Sequence, residues 1–147
     1  KKLLKKYYNI GIAVARQNSL IVPIVKHCEQ KSVLQIAQEI QGLAQKANAD
    51  KLTLDEISGG TFSITNAGLM GALASTPIIA YPQVAILGVH KIVDRAVVRE
   101  GQIVIRPILN FGLSFDHRVV DGAYAVQFLR RMIEYLEEPD GPILDVI

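Results

Sequence analysis

The period of the apolar positions changes several times along the chain, and each change marks an element. Tyr8 to Val14 (Tyr-Asn-Ile-Gly-Ile-Ala-Val) alternates in part and is rich in strand formers, which predicts a strand; Arg16-Gln17-Asn18-Ser19 then reads as a turn. Leu20 to Val25 is a second strand, and Pro23 inside it has no N–H to give a ladder, so this strand belongs at an edge or a bulge. Together they predict a hairpin. Leu34, Ile36, Ala37, Ile40, Leu43, Ala44 and Ala47 recur at helical spacing behind Ser32 and Gln35, a capping-box pair, so an amphipathic helix is expected to end near Asn48.

Thr53-Leu54-Asp55-Glu56 repeats the cap pattern over a shorter span, and Gly59-Gly60 stops it before Thr61 to Asn66, an alternating strand. Past that strand the sequence is rich in small residues, Ala67-Gly68 and then Gly71, Ala72, Ala74, Ser75, Thr76 and Pro77, which suits a loop running close against another surface. Gln83 to Val93 is almost continuously apolar, as a strand buried on both faces would be. Glu100-Gly101 reads as a hairpin turn into Gln102 to Ile105, with Ile108 to Phe115 as the next strand. Ala125, Val126, Phe128, Leu129, Met132, Ile133 and Leu136 define a second amphipathic helix stopped by Pro139. The expected class is α+β, a mixed or antiparallel sheet covered by helices, in one domain without internal repeats.

Composition narrows what this domain does. Half of the 147 residues are hydrophobic, enough for a sizeable core. Lys plus Arg number 16 against 14 Asp plus Glu, and Lys1, Lys2, Lys5 and Lys6 crowd one end, so no basic face remains to suggest nucleic acid. A single cysteine, Cys28, excludes an internal disulfide and fits a reducing compartment, the cytoplasm being the expected one. No apolar run approaches the roughly 20 residues that span a bilayer, so no membrane partner is expected. The chain opens in mid-pattern without an initiator methionine, and an upstream portion is expected.

Candidate chemistry falls on the histidines. His27 adjoins Cys28, but neighbours in a strand point to opposite faces, so a thiol–imidazole pair is disfavoured. His90 lies in the long apolar strand without a carboxylate near it in sequence and reads as a packed core residue. No histidine pair has the spacing that sets two metal ligands on one helix face, and no metal is expected. His117 differs, because Asp116 and Asp121 would favour its imidazolium while the start of the following helix would oppose it. The residues alone also allow a plain salt-bridged turn of Asp116, Arg118 and Asp121 with His117 packed beneath.

His117-Arg118-Val119-Val120-Asp121-Gly122 resembles the His-x-x-x-Asp-Gly signature of the dihydrolipoyl acyltransferases of 2-oxo acid dehydrogenase complexes and of chloramphenicol acetyltransferase. Leu113-Ser114-Phe115-Asp116 before it has the acyltransferase-core form. Further blocks are similar in the same order: Asn9 to Val14, Leu20 to Pro23, Gly59 to Asn66, Ser75 to Ile79 and Ala85 to Val89. The resemblance covers nearly the whole chain. It implies a chloramphenicol acetyltransferase-like fold and the C-terminal portion, residues 1–147, of a catalytic domain whose upstream part, with the lipoyl and subunit-binding domains, is not in this chain.

The implied activity moves an acyl group between a dihydrolipoyl arm, carried on a separate lipoyl domain, and coenzyme A as substrate. By the same likeness His117 is the general base toward the attacking thiol, Thr65 the donor to the oxyanion, and Asp121 a support for the site. Ser63 is a competing hydroxyl, since strand alternation puts it on the face of Thr65; the likeness favours Thr65. Trimers are implied, with His117 and Thr65 meeting across a subunit interface, assembled further into a cubic or icosahedral core through a tail such as Pro142 to Ile147. The decarboxylase and dihydrolipoyl dehydrogenase of the complex are the implied partners, in a bacterial or archaeal cytoplasm or the mitochondrial matrix. Acetyl or branched-chain acyl groups are expected ahead of succinyl, from the Arg118 to Gly122 run. A chloramphenicol-type enzyme with a small hydroxyl acceptor, or an assembly scaffold without chemistry, are the competing readings.

Overall fold

The computed structural model describes residues 3–17 and 19–138. Five strands form one mixed sheet in the order β4 (Ile24–Val25), β1 (Ile10–Ile12), β5 (Phe62–Asn66), β6 (Ala85–Val89) and β9 (Phe111–Phe115). β1 runs parallel to β5 and β5 parallel to β6, while β4 and β9 close the two sides antiparallel. Two parallel neighbours require two crossovers. The first passes through β2 (Val14–Ala15), β3 (Leu20–Ile21), β4 and helix α1 (Val33–Asn48); the second is the loop of residues 67–84.

Those crossovers cover one face of the sheet. Gly11, Ile24 and Ser63 share that face: a side chain at Gly11 would stand 2.7 Å from Ser63 Oγ and 3.2 Å from Ile24 Cδ1. α1 buries Leu43 and Ala47 on this side, over the β4 edge. The opposite face, with Ile10, Phe62, Ile64 and Leu87, meets helix α2 (Gly122–Glu137), where the Phe62 and Phe128 rings lie 5.8 Å apart. The sheet is thus sandwiched, and β6, buried at Ala85 to Gly88, is its centre.

The expected α+β architecture is present, and most elements fall where the pattern puts them. Ser32 Oγ accepts from Gln35 N at 3.3 Å and Gln35 Oε1 accepts from Ser32 N at 2.8 Å, so the capping box forms and α1 ends at Asn48. Thr53 and Glu56 reproduce the box over the 3₁₀ turn Asp55–Ile57. Glu100 and Gly101, at φ 50° and 75°, make the left-handed pair that joins β7 (Val93–Arg99) to β8 (Gln102–Ile108). Pro23 sits beside the edge strand β4, as its missing N–H requires. The Pro139 stop and the Pro142 to Ile147 tail lie outside the described residues.

Both strands of the expected hairpin are interrupted, Tyr8 to Val14 at Ala13 and Leu20 to Val25 at Val22–Pro23, and two further continuous strands of the sequence are broken in the fold. Gln83 to Val93 divides at His90, and Ile108 to Phe115 divides at Asn110. The latter two breaks face each other. His90 Nδ1 donates to the Asn110 carbonyl at 2.8 Å, so the β7–β8 hairpin departs from the sheet at a point joined by a side chain. An apolar run carries no mark of such a departure, because both halves remain apolar.

Two expectations follow. Gly42 lies in α1 with open space around its missing side chain, whereas a side chain at Gly68 would stand 2.4 Å from the His90 backbone. Gly42→Ala should stabilise the chain by roughly 0.5–1 kcal/mol and Gly68→Ala should destabilise it, as urea unfolding measures. Glu56 accepts from Lys46 Nζ at 2.6 Å and from Thr53 N at 2.8 Å, and Lys46 above all lowers its pKa from 4.5 to about 2. A depressed carboxyl stabilises the fold above its ordinary value and loses that contribution as pH falls through the folded one. The stability deficit of Glu56→Gln should therefore be largest near neutrality and shrink between about pH 5 and about pH 2; a deficit that ignores pH would refute this.

Candidate active site

Each of the three expected site residues is held by a different local device. Thr65 is on β5, half-buried, on the face covered by the crossover loop. Its competitor Ser63 shares that face but is only 1% exposed and donates to Gln83 Oε1 at 2.8 Å. Packing thereby separates the two hydroxyls that alternation leaves equivalent: Ser63 is committed to the loop, and Thr65 is the more open.

His117 follows β9 in a turn that is closed by its neighbours. The Asp116 carbonyl accepts from Val119 N and Val120 N, at 2.9 and 3.0 Å, and Asp116 N donates to the Val84 carbonyl. The Asp116 carboxylate takes both Arg118 Nε, at 2.9 Å, and Arg118 Nη2, at 2.7 Å. This guanidinium holds the Asp116 carboxyl at about 2, well below the usual carboxylate range. Asp116 is thus engaged by Arg118, and its charge is largely compensated. The His117 ring is exposed and tilted against Phe115 at 5.7 Å between centroids. The salt-bridged turn therefore exists as far as Asp116 and Arg118, but His117 stands outside it.

Asp121 has a separate task in the fold. Its Oδ1 accepts from Tyr124 N at 2.8 Å and caps α2, whose dipole favours the negative charge there. It joins the turn of His117 to a rigid helix.

Within one chain Thr65 and His117 do not meet. Thr65 pairs with Gly88 and Gly88 with Gly112, while Phe115 pairs with Ala85 at the other end of β6. Phe115, the residue against which His117 rests, is therefore displaced from Thr65 by about 10 Å along the strands and about 10 Å across them. The Phe115 row also faces α2, opposite to Thr65. A groove of about 520 Å³ between the sheet and α2, lined by Tyr7, Tyr8, Phe62 and Met132 among others, includes neither residue.

The other histidines are accounted for. His27 Nδ1 lies 3.3 Å from Glu29 Oε1, and the Cys28 thiol donates to the Val25 carbonyl at 3.4 Å, its pKa raised by burial. They form no pair with each other. His90 is 3% exposed and bonded through both ring nitrogens, to Asn110 and to Ser75. Its partners are 15 and 20 residues away in sequence, so no local motif announces them. Among the described residues no group of three His, Cys, Asp or Glu side chains could hold a metal ion, and no helix is long and apolar enough to cross a membrane.

The family described as 2-oxoacid dehydrogenases acyltransferase (catalytic domain) matches residues 1–144. The chain is 48% identical, over 98% of its length, to a dihydrolipoyllysine-residue succinyltransferase component of the 2-oxoglutarate dehydrogenase complex from Bartonella vinsonii subsp. berkhoffii, of which it spans 35%. It superposes with a TM-score of 0.90 and 42% identity on a dihydrolipoamide acetyltransferase from Azotobacter vinelandii, covering 95% of this chain and 57% of that one. In that protein a serine, a histidine and an asparagine were investigated for their role in the catalytic mechanism. The cubic core of a pyruvate dehydrogenase multienzyme complex is similar too, with a TM-score of 0.90 and 41% identity over 95% of this chain and 57% of that one.

The expectation of an acetyl or branched-chain enzyme is overturned. Curated relatives at 44% to 49% identity are named succinyltransferases. Within the Arg118 to Gly122 run, Arg118 pairs with Asp116 and Asp121 caps α2, so the run shapes the turn and carries no contact that reads an acyl group. What stands is the architecture: a mixed sheet between a crossover loop and a helix, with the His-x-x-x-Asp turn at the end of β9, and on this fold and the match over residues 1–144 the chain belongs to the 2-oxoacid dehydrogenase acyltransferase (catalytic domain) family.

Proposed function

We propose that this chain supplies two half-sites of an acyltransferase that moves a succinyl group between dihydrolipoyl-lysine and coenzyme A. One observation carries the assignment of residues. The intervals from Thr65 to His117 and from His117 to Asp121 are the same as those between the serine, histidine and asparagine of the Azotobacter vinelandii enzyme. Threonine keeps the hydroxyl of serine, and aspartate keeps the oxygen that caps α2.

The chemistry is a thiol exchange at a thioester. The coenzyme A thiol attacks the carbonyl carbon of the succinyl-dihydrolipoyl thioester while His117 takes its proton. The carbonyl oxygen becomes an oxyanion that accepts from the Thr65 hydroxyl. Collapse of the tetrahedral intermediate breaks the bond to the dihydrolipoyl sulfur, which leaves with the proton from His117. A thiol of ordinary pKa ~8.5 and a free imidazole of ~6.5 differ by ~2 units, or about 2.7 kcal/mol, a modest fraction of an enzymatic barrier.

Because the two groups are far apart in one chain, His117 works with the Thr65 of a neighbouring copy. The likeness to a cubic core supports a trimer whose interfaces form complete sites and which assembles further. Such a core receives the lipoyl domain together with the decarboxylase and dihydrolipoyl dehydrogenase of the complex, in the bacterial cytoplasm. The bacterial succinyltransferases of 2-oxoglutarate dehydrogenase complexes support succinyl as the acyl group.

His117→Ala should reduce succinyl transfer from succinyl-coenzyme A to dihydrolipoamide by ~10²–10⁴-fold, and Thr65→Val by ~10²–10³-fold. Mixing the two unfolded variants and refolding them together should restore part of the activity, since some interfaces then hold both intact residues. A mixture as inactive as its components would refute a shared site. Faster transfer from acetyl-coenzyme A than from succinyl-coenzyme A by the parent would refute the choice of acyl group.

A further inference from the structure

His90 has a larger part in the fold than a packed core residue needs. Its imidazole lies across β6 and β9 where two glycines pair: a side chain at Gly88 would stand 3.2 Å from His90 Cε1 and 3.3 Å from Ser75 Oγ, and one at Gly112 would stand 3.2 Å from His90 Cε1 and 3.0 Å from the Ser75 carbonyl. The glycine pair is therefore the floor on which the ring and the Ser75 segment rest. This floor is the continuation of the Thr65 row, because Thr65 pairs with Gly88. Residues in one row project to one face, so Thr65 stands on the same face as the floor that Ser75 covers, with one strand spacing of about 4.8 Å between the backbones.

Both ring nitrogens have partners. The Asn110 carbonyl can only accept, so Nδ1 carries a proton, and in the neutral ring Nε2 accepts from the Ser75 hydroxyl at 2.8 Å. Further bonds fasten the same loop at the same place: Lys91 N donates to the Ala72 carbonyl at 2.9 Å, and Asn110 Nδ2 to the Leu73 carbonyl at 3.0 Å. Gly68, just beyond Thr65, lies flat against the His90–Lys91 backbone. The loop that leaves Thr65 is thus returned over the neighbouring strands β6 and β9 and locked there by a buried imidazole.

We propose that His90, acting through Ser75, is a positioning residue for the Thr65 hydroxyl: the pair fixes the wall beside Thr65 so that its O–H is aimed at the developing oxyanion. The proposal rests on the assignment of Thr65 made above. An oxyanion donor is useful only while its geometry is held, and misplacement by about an ångström costs up to ~10²-fold in rate. A preformed wall affects the chemical step more than the affinity for substrate.

The test is a mutant cycle on the assembled protein, with succinyl transfer to dihydrolipoamide as the readout. Ser75→Ala and His90→Gln should each lower kcat by roughly 10-fold, with KM for coenzyme A changed by less than about twofold, and Ser75→Thr, which keeps the hydroxyl, should recover most of the rate. In a Thr65→Val background Ser75→Ala should cost little more, because the group it positions is gone. An equal loss in that background would overturn the proposal by showing that Ser75 acts independently of Thr65. Unchanged kcat in Ser75→Ala, or a rise in KM alone, would overturn it as well. Ser75→Ala keeps the experiment decisive if His90→Gln fails to fold. Absence of transfer by the unsubstituted protein overturns the assigned function and this inference together, whereas normal transfer with an additive cycle overturns only the inference.

Discussion

The register of β6 against its two neighbours is the constraint on which the arrangement depends. Strand pairing aligns Thr65 with Gly88 and Gly112, and the same ladder sends Phe115 to the far end of the sheet beside Ala85. A slip of one residue would turn Thr65 toward α2 and bring a bulky neighbour beneath His90. The burial of β6 on both faces opposes that slip, since Ala85 to Leu87 contribute core side chains on each side. The separation of the two half-sites is thus a consequence of the core. Chemistry that needs both must recruit a second chain.

The carboxylates on either side of His117 are both engaged by other groups. Asp116 is engaged with Arg118 in a bidentate pair, and Asp121 caps the helix. An exposed pair of this kind contributes little stability, but it gives the turn a definite shape. The backbone bonds from Val119 and Val120 to the Asp116 carbonyl close the turn from inside. His117 is consequently presented to solvent on a stiff support, with Phe115 as its only ring contact among the described residues.

The opposite face tells the same story with different means. Parallel strands β5 and β6 need a return path, and here it is a loop with small residues at Gly71, Ala72, Ala74, Ser75 and Thr76 instead of a long helix. Small side chains let the loop approach the sheet closely enough for Ser75 to reach a buried imidazole, which a bulkier stretch would prevent. Glycine at 68, 88 and 112 is explained by this approach, each for lack of room above it.

The sequence by itself determined the elements and the identity of the reactive groups, because capping pairs, turn dipeptides and apolar periods act over a few residues. The capping box at Ser32, the Glu100-Gly101 turn, both helices and the His-x-x-x-Asp turn were all legible in this way. It also pointed to Thr65, though only through likeness to a family, since alternation cannot tell Thr65 from Ser63. Tertiary structure decided what depends on distant partners: that Ser63 is sealed by Gln83, that the apolar strands break at His90 and Asn110, and that His90 joins Ser75 to Asn110. The distance between Thr65 and His117 belongs to this second group. It is set by strand register, a property of the paired sheet, and no single strand contains it.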